Sequence, residues 1–201
     1  MLQSIKLLLV FVAGITIAWL NIIPFSFNPD LISEYLLYIL VFGVGVVLAK
    51  SEGIFTILKR YHIKLFLIPL MVIVGSLGSS ALLALVIKDV SFKHGLGLGA
   101  GLGYYSLSSL MISKYGFKEI GAMALLINMI REIITLLFAP LLVRFFGRFA
   151  PIASGGATSM DTTLPVILKY TDEDNAIISM FNGVVLSMMV PLLITIIYEL
   201  F

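Results

Sequence analysis

Apolar residues in this chain come in long, nearly unbroken runs, and polar residues fall in short clusters between them. About 20 apolar residues are what an α-helix needs to cross a bilayer core. Runs of that kind cover residues 5–24, 65–87, 120–143 and 177–198, with a shorter one over 36–48. The first has Trp19 near its far end, is too long for a secretory leader and offers no small-residue cleavage site around Asn21 and Pro24, which predicts a membrane helix. Two further segments depart from the pattern. Between residues 95 and 103 a glycine stands at every second position, followed by Tyr104, Tyr105 and Ser106. Each such glycine costs a helix about 1 kcal/mol relative to alanine. Residues 154–170 place Asp161 among small and hydroxyl residues shortly before Pro165. Both segments are predicted to be broken or re-entrant helices, which a membrane admits only where protein or a water-filled cavity covers the freed backbone.

Composition agrees with the runs: 60% of the 201 residues are hydrophobic and 12% are charged, far from a soluble domain. The predicted fold is therefore all-α and polytopic, with about five full spans plus two re-entrant segments. It forms a single membrane domain over residues 1–201: a three-helix part over 1–87, then 93–148 and 149–201 as two repeats. The formal charge of +2 is too small for nucleic-acid binding, and the basic residues read instead as topology signals. The densest group, Lys50, Lys59, Arg60, His62 and Lys64, belongs in the cytoplasm by the positive-inside rule. The chain has no cysteine, which removes disulfides, thiolate metal sites and cysteine catalysis. His62 and His94 stand apart in charged loops, so no metal site or other cofactor is expected. The small-residue patch at Gly75, Ser76, Gly78, Ser79 and Ser80 reads as helix packing.

The two irregular segments open a weak duplication. Lys114-Tyr115 corresponds to Lys169-Tyr170, Asn128 to Asn182 and Pro140 to Pro191. Each copy is a small-residue broken segment, a Lys-Tyr corner, then a span with an inward asparagine and a late proline. If both segments return to the face they start from, Arg144 and Arg148 fall on the same side as the 50–64 cluster, and the copies are inverted. The amino terminus is then cytoplasmic and the carboxyl terminus outside.

Candidate chemistry lies inside the spans. Asn128, Glu132 and Thr135 share one helical stripe, with Arg131 beside it. A charge at the bilayer centre costs at least about 2.5–3.5 kcal/mol, so these groups should face a cavity. Glu132 and Asp161, two acids at membrane depth, suit the exchange of protons for a cationic substrate. The bland readings are neutralisation of Glu132 by Arg131 and a helix-capping role for Asp161 with Thr162 and Thr163. Enzyme readings fit less well. Gly95-x-Gly97-x-x-Ala100 has no strand before it to make a dinucleotide fingerprint. An intramembrane aspartyl protease needs two aspartates, and Ser106, Ser108 and Ser109 have no intramembrane base to activate them.

The segments 101–109, Asn128-Met-Ile-Arg-Glu132 and Ser154-Gly-Gly-Ala-Thr-Ser-Met-Asp-Thr-Thr-Leu-Pro165 together resemble the lysine exporter family of the LysO type. The resemblance implies export of L-lysine and lysine analogues, with Glu132 and Asp161 as the matching acidic pair. Arg131, Asn128, Asn182, Ser106 and Thr162 are expected to complete the substrate and proton site. Exchange for protons is the expected coupling, because moving a lysine cation out against an inside-negative potential costs about 2.3 kcal/mol per 100 mV. The competing expectations are another cationic amino acid, an ion, or a membrane subunit that transports nothing. The match corresponds to the carboxy-terminal two-thirds of longer family members, which implies either a small companion membrane chain or a homo-oligomer.

Overall fold

The structure, a computed structural model, describes residues 63–87, 89–172 and 174–200, with a few isolated positions before residue 43. The spans expected over 5–24 and 36–48, and most of the basic cluster that follows them, lie outside the described residues. All regular elements among the described residues are helical. A 3-10 turn, Ile63–Phe66, leads into α1, Leu67–Val86. Then come α2, Phe92–Gly99, and α3, Tyr105–Lys114. The long α4, Lys118–Phe146, is followed by α5, Ala150–Gly155, a 3-10 turn over Gly156–Met160, and α6, Leu164–Tyr170. The chain closes with α7, Asp174–Leu200.

Three of these helices, α1, α4 and α7, are long and apolar enough to cross a membrane. The other four are short, with 8, 10, 6 and 7 residues. At 1.5 Å per residue they extend about 9–15 Å, up to half of a roughly 30 Å hydrocarbon core. Both segments expected to be broken are broken. The glycine alternation is not itself the break, however. Helix α2 runs through Gly95, Gly97 and Gly99 and stops only after them. These glycines admit close neighbours instead: Ala84 and Ser80 of α1 face Gly95 and Gly99, and the Tyr198 ring of α7 faces Gly97.

Helix α4 shows how a membrane reverses ordinary amphipathicity. Gly121, Ala124, Asn128, Glu132, Thr135 and Ala139 are buried, while Ile127, Ile130, Ile134, Leu137 and Leu141 are exposed. Polar groups point inward because lipid cannot satisfy them. The small-residue patch on α1 does pack, but only in part. Ser76 Oγ donates to Gly99 O at 2.9 Å, whereas Gly75 and Gly78 have no described atom within 4 Å of where a Cβ would stand.

Contacts at the ends of the broken pairs locate them. His94 stands in the first turn of α2 and not in a loop as expected, and its ring meets that of Phe117, which follows α3, at 4.5 Å. Lys93 Nζ lies 5.2 Å from the Tyr198 ring near the end of α7 and donates to Tyr198 O at 3.3 Å. Before α5 and after α6, Arg148 Nη1 meets Asp172 Oδ2 at 2.9 Å. Arg148 follows the last turn of α4, and Asp172 precedes the first turn of α7.

Candidate functional site

The breaks in the two helix pairs touch one another. Between α2 and α3 the chain turns through Leu102, φ 47°, and Gly103, φ 96°; between α5 and α6 it turns at Gly156, φ 63°. The Ala157 N–H donates to Leu102 O at 2.8 Å. A Cβ on Gly103 would stand 2.7 Å from Gly155 O, and one on Gly156 would collide with Leu102 O. Glycine is required at both positions by φ and by the approach of the opposite backbone. Leu102, fully buried in a left-handed conformation, carries local backbone strain at this crossing.

An asparagine from α4 holds the first break and one from α7 the second. Asn128 Oδ1 accepts the Gly103 N–H at 2.7 Å while its Nδ2 donates to Ala124 O at 2.8 Å. Asn182 Nδ2 reaches Gly156 O at 3.2 Å and Ser159 Oγ at 3.1 Å. Arg131 secures the end of α5. Its Nε donates to Ser154 O at 2.7 Å and its Nη2 to Ala153 O at 2.9 Å, with Nη1 3.4 Å from Ser76 Oγ on α1. These are carbonyls that a helix C-terminus leaves open, and a cation there also complements the helix dipole. Thr135 Oγ1 and Ser154 Oγ, 2.7 Å apart, add a second tie between α4 and α5.

The expected acids sit in different settings. Glu132, one turn beyond Asn128, is 1% exposed. Asp161 follows the 3-10 turn and is exposed within the described part of the molecule. Its Oδ1 accepts from the Thr162 N–H and from Thr162 Oγ1 at 3.3 Å. Thr163 is the residue that caps α6, and it makes no side-chain cap bond. Asp161 lines a cavity of about 100 Å³ with Tyr104, Ser106, Thr158, Thr162 and Ser187, room for several waters. Glu132 lies within electrostatic range of Asp161, and the Tyr105 phenol within range of both.

The expected residues thus fall into three groups. Asp161, Thr162 and Ser106 share the small cavity. Asn128 and Arg131 line a larger and mostly apolar one, about 260 Å³, with Ser76, Ser80, Gly99 and Ile127. Glu132 is buried on the stripe of Asn128, and Asn182 is buried against the second break. Sequence reasoning did not single out Leu102, Ser154 or Ser187. Ser154 had a signal, since it stands inside the small-residue stretch ahead of Asp161. A leucine announces no left-handed turn, and a lone serine in an apolar span announces no cavity. Among the described residues no three His, Cys, Asp or Glu side chains gather to hold a metal ion.

The family model for lysine exporter LysO matches residues 8–198. Over 193 residues the chain is 32% identical to the lysine exporter LysO of Escherichia coli K12, an overlap covering 96% of this chain and 63% of that protein. It is 30% identical over 193 residues to a provisionally named lysine exporter of Haemophilus influenzae, covering 94% of this chain and 95% of the relative. The chain therefore spans less than two thirds of the length of the Escherichia coli relative. No solved structure matches it.

Proposed function

This chain belongs to the LysO family of lysine exporters, transporters rather than enzymes, and from that premise we propose that it exports L-lysine and lysine analogues in exchange for protons. The observation that carries the reading is the contact of two helix breaks beside Asp161, joined by the bond from Ala157 N–H to Leu102 O. Discontinuous helices meeting near mid-membrane are how many secondary transporters build a site from polar backbone.

Each broken pair is re-entrant in this proposal. The His94–Phe117 contact supports a return of the first pair to its own face, and the Arg148–Asp172 ion pair supports the same for the second. Because α4 runs from the first of these ends to the second and α7 runs back, the two pairs open to opposite faces. That arrangement, with an asparagine bonded to each break, supports an inverted repeat within five full spans. Arg144 and Arg148 put the second face in the cytoplasm, with the amino terminus inside and the carboxyl terminus outside.

Ionised Glu132 and Asp161 hold the ammonium groups of the substrate, and protonation from outside releases them. Exchange for at least one proton offsets the charge moved, removing the cost of about 2.3 kcal/mol per 100 mV. Arg131 keeps the end of α5 in place, and its Nη1, turned toward Ser76, is the donor available to a substrate carboxylate. Asn128, Asn182, Ser106 and Thr162 provide the polar lining. The size of the Asp161 cavity, about 100 Å³, favours one second reading, a small inorganic cation as the carried species. The proposal gives a companion membrane chain or a second copy a place on α1, which is sparsely buried among the described residues, none of which comes within 4 Å of a Cβ on Gly75 or Gly78.

The experiment is counterflow of labelled lysine in liposomes, with arginine, ornithine and sodium as competitors, and lysine-analogue resistance in cells. Lysine exchange lost in Asp161→Asn and Glu132→Gln supports the proposal. Undiminished export by both variants at wild-type protein levels sinks it.

A further inference from the structure

Four buried polar atoms on α7 have no hydrogen-bond partner among the described residues: Asn175 Nδ2, Ser179 Oγ, Asn182 Oδ1 and Ser187 Oγ. Their residues are 2%, 0%, 0% and 1% exposed. A buried polar group left bare costs about 1–3 kcal/mol, and a membrane helix has no reason to accumulate four of them. Their placement is ordered. Asn175, Ser179 and Asn182 recur at i, i+4 and i+7 and so share one stripe of the helix. Ser187 lies beyond them and lines the cavity that holds Asp161.

The facing surface is polar as well. Ser159 Oγ lies 2.7 Å from Gly156 O and 2.9 Å from Ser179 O, two acceptors for its one proton, and it accepts from Asn182 Nδ2. Gly183, which α7 offers between these positions, lets Ala157 and Met160 of the second break approach without a side chain intervening. At the other end the Asn175 N–H donates to Asp172 O at 3.0 Å, next to the Arg148–Asp172 pair. The four atoms therefore run over about 18 Å of helix, from a charged end of the molecule to the Asp161 cavity.

We propose that this stripe of α7 holds a file of buried water molecules, joining the Arg148–Asp172 end of the molecule to Asp161 and giving the proton carried by Asp161 its way out to that side. Water supplies donors and acceptors to groups that lack them, typically about three bonds per buried molecule. Ser187 delivers the file to the cavity, and Ser159 keeps the second break close enough to form its opposite wall. The inference deepens the proposed function, because it rests on Asp161 as the proton-carrying group.

The chain is free of cysteine, so single cysteines report cleanly. Ser179→Cys and Ser187→Cys are compared with Met180→Cys, whose position on the same helix is 47% exposed on the outer side. The probe is methanethiosulfonate ethylammonium, applied to the intact chain in liposomes. Thiolate is the reactive species and forms only where water reaches, so labelling at positions 179 and 187 about tenfold or more faster than at position 180 is expected. Labelling no faster than at position 180 overturns the proposal. If the cysteine variants do not fold, Ser179→Ala and Ser187→Ala decide by melting. Removing a dry, bare hydroxyl raises Tm and overturns the water file, whereas removing a hydrated one leaves Tm unchanged or lower, as expected. Labelling needs no transport. A protein that labels but carries no lysine sinks the functional reading alone, and one that exchanges lysine while its track cysteines stay silent sinks the water file alone.

Discussion

Asn128 and Asn182 stand on different helices and perform related tasks with unequal strength. Asn128 makes two bonds, at 2.7 and 2.8 Å, and takes up the Gly103 N–H inside the protein. Asn182 makes longer bonds and leaves its Oδ1 without a partner among the described residues. Asn128→Leu is therefore expected to lower stability by about 1–3 kcal/mol, the cost of a bare buried amide, and Asn182→Leu by less; denaturant unfolding in detergent measures both. Arg131→Lys is expected to fail as a conservative change. A lysine cannot span the Ala153 and Ser154 carbonyls with a planar fork, so the variant should melt earlier than wild type, and a calorimetric scan checks it. The stripe of Asn128, Glu132 and Thr135 was legible in the sequence because lipid penalises such groups strongly enough to dictate which way they face. Ser187 was not legible, because a serine in an apolar span is cheap to place on either side.

The breaks show what a sequence reveals about an element and what it hides. That residues 95–103 and 154–170 do not continue as plain helices followed from their glycine, hydroxyl and proline content. Where each break falls did not follow, since Gly95, Gly97 and Gly99 sit inside α2 and serve packing. The decisive residues are Gly103 and Gly156, which combine positive φ with a neighbouring backbone. Two alanine substitutions separate these demands. Gly116→Ala meets its φ of 92° and no atom of the described residues within 4 Å, and is expected to cost about 1 kcal/mol. Gly156→Ala meets both φ and the Leu102 carbonyl, and is expected to cost several-fold more or to prevent assembly of the crossing. Melting temperatures of the purified variants compare the two directly.

At the scale of the whole molecule, membrane character and family were readable from the sequence, whereas the contact between the breaks was not, because no local pattern marks two distant turns as neighbours. The opposed openings proposed for the two broken pairs predict a labelling pattern. A membrane-impermeant thiol reagent added to intact cells is expected to modify His94→Cys, while Arg148→Cys is modified only after permeabilisation. Both reacting from one side would place the two pairs on the same face. The Arg148–Asp172 pair itself, 63% and 64% exposed, is expected to contribute little, within about 1 kcal/mol, so Arg148→Ala should fold normally. The short bond from Ala157 N–H to Leu102 O carries a different kind of consequence. Neither bend can straighten or tilt without pulling on the main chain of the other, so the outward-leaning and inward-leaning movements are geared together. A passage open to both sides at once would require that gear to disengage, and under the proposed exchange such a state would let the proton gradient leak away without exporting anything.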